Sequence, residues 1–226
     1  MPRIAAFFDV DRTLVSCNTA RLFVRQLRRR GEISLLRTLQ ALGWMAKYHL
    51  SLIDLQIIAV NIAGQMRGKS ESEFAEQCRS WVEAEVLPLV TPGARRKIEH
   101  HRAEGHVLAV LSSSPTYVTK PLAEILGIDE VLSTTFEVDA GQFTGRLVGP
   151  ACVGPGKIHW AESLGSKHDI DLSKSFFYTD SYTDVPMLER VGNGIVVNPD
   201  PRLRVAAKKR GWPVQDWMKP PIEVRA

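Results

Sequence analysis

Asp9 and Asp11 stand two residues apart in the stretch FFDVDRTLV, residues 7–15, with Thr13 two further on. In a strand, side chains two apart project to the same side. The three polar groups then share one side, with Val10 and Arg12 opposite. Two carboxylates so placed repel by about 4 kcal/mol at about 4 Å and an effective dielectric of about 20. A shared proton, a cation or wide exposure to water must offset that cost. Further polar sites recur along the chain: Ser112 after the apolar run VLAVL, Lys157 at the opening of a helical pattern, and Asp180 and Asp184 after SFFYT. Ligands of open α/β sheets bind beyond the carboxyl ends of the strands, and these positions fall there. Carboxylates converging on one sheet edge call for a hard divalent cation, and Mg²⁺ takes a few carboxylates together with waters. A hydroxyl, an ammonium and helix N-terminal amides beside it make a cradle for phosphate.

The elements that must position these groups are legible as changes of period. IAAFF, residues 4–8, reads as a short buried strand. From Thr19 to about Leu87 the apolar residues recur at helical spacing, through Leu22, Phe23, Leu27, Leu35, Leu36, Leu39 and Leu42, then Ile53, Ile57 and Val60. Ser70-Glu71-Ser72-Glu73 has the form of a capping box. This block predicts a helical bundle with no strand in it. After Thr91-Pro92-Gly93 a helix over 93–103 leads into VLAVL, an unbroken apolar run expected of a parallel strand buried on both faces. Residues 131–148 alternate around Asp139-Ala140-Gly141 and predict a hairpin. SFFYTDS and GIVVNPD predict two more strands, with a helix from Lys157 before them. Strands alternating with helices predict a doubly wound, Rossmann-like parallel sheet, with an all-helical cap inserted after the first strand. The core then comprises residues 1–15 and 89–226, and the cap 16–88.

Composition narrows the functional classes. The chain has 226 residues, 44% hydrophobic and 24% charged, which suits one soluble domain with an insertion. Cys17, Cys78 and Cys152 are odd in number and widely spaced, so no disulfide framework follows and a reducing cytoplasm is expected. Neither a signal peptide nor a transmembrane run is expected. The net charge of +4 is modest and gives no case for nucleic acid. The basic residues do concentrate at Arg21, Arg25, Arg28, Arg29, Arg30, Arg37 and Lys47 against Glu32 alone. That pattern reads as a solvated helix face, with attraction for an anionic substrate or an anionic membrane surface as the functional alternative.

D9-V-D11-R-T13, Ser112, Lys157 and D180-S-Y-T-D184-V-P-M-L, in this order, resemble the four signature motifs of the haloacid dehalogenase-like phosphohydrolases. The helical insertion and the ending V-N-P-D-P-R-L-R are similar to the phosphoserine-phosphatase-like branch, subfamily IB. The resemblance implies that Asp9 attacks phosphorus and forms an aspartyl-phosphate, and that Asp11 is the general acid and then base. It implies that Thr13 and Ser112 bind phosphoryl oxygens, with Ser113 and Ser114 as competitors of Ser112. Lys157, preferred over Lys167, offsets the charge. Mg²⁺ is held by Asp9, the carbonyl of Asp11 and Asp180, with Asp184 acting through water. The implied substrate is a small phosphomonoester, and the implied assembly a monomer or homodimer. Two other readings stand beside it. One is a phosphatase of lipid phosphates, of the phosphatidylglycerophosphate or lysophosphatidate type, docking through Leu35, Leu36, Leu39, Trp44, Met45, Leu50 and Leu52. The other is a signalling module that accepts phosphate without turnover.

Three positions depart from the family pattern. Arg12 replaces a small residue, Thr179 stands where a Gly often precedes the metal-binding Asp, and Asn18 replaces a Glu that engages the substrate ammonium in phosphoserine phosphatases. Alternation aims Arg12 away from the metal, toward the lid or the outer rim, where it recruits anionic substrate without taking part in the chemistry. A neutral amide at Asn18 holds an ammonium less strongly than a carboxylate does. His100, His101 and His106 read as a solvated helix, Trp212 and Trp217 as packing residues, and Cys17 as a buried small residue.

Overall fold

The computed structural model describes residues 2–34 and 55–218. Strand β1, Ala5–Phe8, is wholly buried and lies at the centre of a six-stranded sheet. Around it run β2 (Val107–Pro115), β3 (Glu130–Thr134), β6 (Phe176–Thr179), β7 (Asn193–Val197) and β8 (Val214–Gln215), in the spatial order β3-β2-β1-β6-β7-β8 with every pairing parallel. Phe7 sits opposite Ala109 on one side and Phe177 on the other. Period-two alternation explains why each central strand is apolar throughout. Ala5, Phe7, Ala109, Leu111 and Phe177 enter one core layer, while Ala6, Phe8, Leu108, Val110 and Tyr178 enter the other.

Helices α4 (Pro92–Ala103) and α5 (Thr116–Leu126) cover the second layer, and α6 (Pro155–His168), α7 (Val185–Arg190) and α8 (Pro201–Arg210) cover the first. Thr91 caps α4 by accepting from Ala94 N, and Gly127 ends α5 in the left-handed conformation. The strand order reverses between β1 and β6. The topological switch point of the sheet therefore lies where Asp9 and Asp180 emerge.

The helical block contains α1 (Thr19–Arg29), α2 (Leu55–Met66) and α3 (Glu71–Trp81). Ser70 caps α3 by accepting from Glu73 N, and Arg21, Arg25, Arg28 and Arg29 of α1 are exposed. Leu35, Leu36, Arg37, Leu39, Leu42, Trp44, Met45, Lys47, Leu50, Leu52 and Ile53 lie outside the described residues. Among the described residues no helix is long and apolar enough to cross a membrane.

Residues 131–148 do not form one hairpin. The first part is β3, which joins the edge of the main sheet parallel to β2, since helix α5 supplies the crossover that a parallel strand needs. The hairpin proper is β4 (Phe136–Asp139) with β5 (Gln142–Leu147), turning through Ala140 and Gly141, both at positive φ. It packs away from the main sheet. Phe136 and Phe143 form a separate apolar cluster with Ala63 and Met66 of α2, flanked by Phe74 and Tyr117. Gly68 N donates to Phe143 O at 2.8 Å and Phe143 N to Lys69 O at 3.1 Å.

His101 is not on a solvated face. It is 0% exposed, its Nε2 lies 2.8 Å from the Tyr178 hydroxyl, and its Nδ1 lies 2.8 Å from His106 Nδ1. Tyr178 comes from β6, far away in sequence, and so gives no local signal. Trp217 is buried in the second layer, and Trp212 packs, partly buried, against the first.

Candidate active site

Strand β1 ends at Phe8, and alternation ends with it. Asp9 N still donates to Tyr178 O at 2.9 Å, but the chain then curls: Leu14 N reaches Asp9 O and Val15 N reaches Val10 O. Arg12 adopts φ of 54°, in the left-handed region. The turn overturns the expected placement of Arg12. Its Nε lies 3.5 Å from Asp180 Oδ2, and it lines the same pocket as Asp9, Asp11, Asn18, Ser113, Lys157, Asp180, Asp184 and Asp200. The turn also carries Thr13 inward. Its hydroxyl is buried without a hydrogen-bond partner among the described residues and does not line the pocket. Ser112 is 1% exposed and does not line the pocket, its Oγ accepting from Ser114 N, whereas Ser113 is exposed and lines it.

Lys157 reaches the site from the first turn of α6. Gly156 makes that approach possible: a Cβ there would stand 2.0 Å from the Ala151 carbonyl oxygen. Lys157 Nζ donates to Asp9 Oδ1 at 2.9 Å and to Asp184 Oδ2 at 2.7 Å, and all three side chains are buried. Burial alone would lower the pKa of Lys157, but Asp184 and Asp9 outweigh it and raise the ammonium above its ordinary value. Burial pushes Asp9 up to about 6, against the pull of Lys157. Lys167 sits at the far end of the same helix.

Asp11 is held on three sides. Thr19 N and Thr19 Oγ1 donate to Oδ1 at 2.9 and 2.7 Å, and Asn18 Nδ2 donates to Oδ2 at 2.8 Å. Burial raises its pKa and the Thr19 bonds oppose the rise. Asn18 Oδ1 meanwhile caps α1 by accepting from Arg21 N at 3.0 Å. Both ends of the Asn18 amide are thus committed to the protein.

The loop 180–184 is fixed by residues that local patterning does not single out. Thr179 Oγ1 donates to Asp184 Oδ2 at 2.5 Å and accepts from Ser181 N at 3.2 Å. Asp200 accepts from Tyr182 N at 2.7 Å through Oδ2 and from Leu203 N at 2.8 Å through Oδ1, while its own N–H donates to Asp180 O at 2.9 Å. Asp200 opens α8 within N-P-D-P, a cap signal visible in the sequence, but the reach to Tyr182 is not. Thr19 is likewise visible only as the start of a helix.

The donor set fits a hard divalent cation. Five carboxylates, Asp9, Asp11, Asp180, Asp184 and Asp200, line a pocket with two cations, Lys157 and Arg12. Burial, reinforced by Asp9, raises the pKa of Asp180 well above its ordinary value, and Arg12 is its one ion-pair partner among the described residues. No group of three or more Asp, Glu, His or Cys side chains among the described residues is gathered to ligate an ion alone. Two carboxylates with a carbonyl and waters suit Mg²⁺ under that constraint.

The sequence pattern of haloacid dehalogenase-like hydrolases matches residues 6–189. A protein of Streptomyces azureus named for inhibition of morphological differentiation is 33% identical, covering 97% of this chain and 80% of its own. A phosphoserine phosphatase of Mycobacterium tuberculosis is 33% identical over 94% of this chain and 70% of its own. A solved structure of unknown function from Bordetella pertussis superposes with a TM-score of 0.86 at 28% identity, covering 96% of this chain and all of its own. With that pattern running from β1 through β6, across the switch point and the loop 180–184, the chain belongs to the haloacid dehalogenase-like hydrolase family.

Proposed function

We propose that this chain is a Mg²⁺-dependent phosphomonoester hydrolase that acts through an aspartyl-phosphate on Asp9. The observation that carries the reading is the buried Lys157 shared between Asp9 and Asp184, beside an Asp11 held in place by Thr19. Asp9 attacks phosphorus while Asp11 gives its proton to the departing alkoxide, so the ester P–O bond breaks as the acyl phosphate forms. Asp11, now a carboxylate, takes a proton from water. That water attacks phosphorus, breaks the acyl-phosphate bond and releases inorganic phosphate and free Asp9. Thr19 and Asn18 orient Asp11 for both proton transfers. Lys157 keeps Asp9 ionised against the burial that raises its pKa and neutralises incoming phosphoryl oxygens. Mg²⁺ on Asp9, the carbonyl of Asp11 and Asp180 would supply the remaining charge neutralisation, and a reaction of this type needs little beyond positioning and electrostatics.

The implied substrate is a small phosphorylated metabolite. The Mycobacterium tuberculosis relative named a phosphoserine phosphatase supports it, as does a Neisseria meningitidis relative named a histidinol-phosphatase, 27% identical over 92% of this chain and 96% of its own. The position of Asp11 supports turnover over a stable phospho-acceptor, because it provides the base that hydrolyses the intermediate. The test is hydrolysis of p-nitrophenyl phosphate with and without Mg²⁺. We expect Mg²⁺-dependent turnover that falls at least about a thousandfold in Asp9→Asn. Full activity in Asp9→Asn, or a long-lived phospho-Asp9 without release of phosphate, overturns the reading.

A further inference from the structure

We propose that Arg12 is a specificity-determining residue, selecting phosphomonoesters whose leaving group carries a second anion, a carboxylate or a phosphate, over those carrying only an ammonium. The inference rests on the phosphatase reading and names its substrate class.

Three observations converge on it. Arg12 is pinned at the pocket by its backbone: its N–H donates to Cys17 O at 3.0 Å, and its carbonyl accepts from Asn198 Nδ2 at 2.8 Å. The main chain is therefore fixed at the pocket, and the 3.5 Å contact of Nε with Asp180 Oδ2 directs the guanidinium toward the site. Second, Arg12 occupies the left-handed region at φ of 54°, which suits Gly or Asn and strains an Arg. A strained residue at the mouth of a pocket points to a functional demand on its side chain. Third, its side chain is 46% exposed against 11% for the paired Asp180, so the charge that meets an incoming ligand is positive. The contact with Asp180 is made through Nε, and among the described residues no protein group accepts a hydrogen bond from the guanidinium. A free fork of N–H donors is matched by the two oxygens of a carboxylate or phosphate.

The carboxylates of the pocket do not offer an alternative seat for an ammonium. Asp9 and Asp184 hold Lys157, Asp11 accepts from Thr19 and Asn18, Asp200 accepts from Tyr182 N and Leu203 N, and Asp180 is paired with Arg12 itself. Asn18, in the place that a Glu takes in phosphoserine phosphatases, spends its carbonyl on capping α1 and its amide nitrogen on Asp11.

The experiment compares kcat/KM for 3-phosphoglycerate, glycerol 3-phosphate and O-phosphoethanolamine, whose second groups are anionic, neutral and cationic. We expect the anionic substrate to lead the neutral one by about tenfold, as one charge-assisted pair contributes, and the cationic one to trail. Arg12→Asn removes the guanidinium while suiting the left-handed backbone. It should keep or raise the melting temperature and reduce the anionic preference to near unity. Arg12→Glu should reverse the order. A wild-type enzyme that turns over p-nitrophenyl phosphate but ranks the three substrates equally sinks the role of Arg12 and leaves the phosphatase reading standing. A wild-type protein that hydrolyses none of the four removes both. A preference that survives in Arg12→Asn also overturns the assignment.

Discussion

At the scale of single residues, the site depends on hydroxyls as much as on charges. Thr179 gives its proton to Asp184, the carboxylate that also holds Lys157, and so fixes the ammonium indirectly. A hydrogen bond to a charged group contributes roughly 1.5–3 kcal/mol. Thr179→Val should therefore lower kcat for p-nitrophenyl phosphate by about tenfold to a hundredfold, with the circular dichroism spectrum unchanged. Thr179→Ser should restore most of the rate. Equal rates for the wild type and the Val variant would show that Lys157 alone positions Asp184. The residues that act by charge at strand ends are legible in the sequence because their types are conspicuous, and the structure brings Asp9, Asp11, Lys157, Asp180 and Asp184 into one pocket. Thr19, Thr179 and Asp200 are not legible as site residues, because their partners are defined by loop geometry. Arg12 was misplaced for the same reason. Alternation is a rule for strands, and the strand ends at Phe8.

At the scale of elements, the α6 helix start is the most tightly constrained piece near the site. In Gly156→Ala the new methyl would meet the backbone carbonyl of Ala151, an atom with no rotamer to yield. We expect a loss of about 2–3 kcal/mol in urea unfolding, together with a fall in kcat/KM as Lys157 is displaced. Gly165, in the same helix, is the control. An added Cβ there stands 3.5 Å from the nearest atom outside the helix, an ordinary contact. Gly165→Ala should be neutral or stabilising by up to about 1 kcal/mol. Equal losses at both positions would mean that helix propensity, not the approach to Ala151, sets the requirement. The strand and helix pattern is legible because burial on both faces leaves unbroken apolar runs. The division of 131–148 between two sheets is not, since β3 and β4 have similar composition and only their partners differ.

At the scale of the whole molecule, the buried His101 couples stability to pH. Burial, with help from the charges of His106, His100 and Lys97, pushes its pKa down to about 3. The unfolded chain therefore binds more protons than the folded one between about 3 and the ordinary value near 6.5. The contribution of His101 is fully present above about 6.5 and is lost as pH falls through that window, by about 1.4 kcal/mol per pH unit. His101→Phe should flatten the decline of stability between pH 6.5 and 5, measured by urea unfolding at each pH. An unchanged slope would place the proton uptake on other groups.

The hairpin β4–β5 has a different kind of consequence. It leaves the chain between β3 and α6, yet Phe136 and Phe143 pack on Ala63 and Met66, which leave the chain between β1 and β2. Two separate excursions of the polypeptide are sewn together there by apolar side chains and by the backbone pairs Gly68–Phe143 and Phe143–Lys69. An engineered exchange of residues 16–88 for the corresponding segment of a relative would sever that seam and leave two phenylalanines facing water. A working chimaera has to carry residues 136–147 as well, so the transferable unit is discontinuous in sequence.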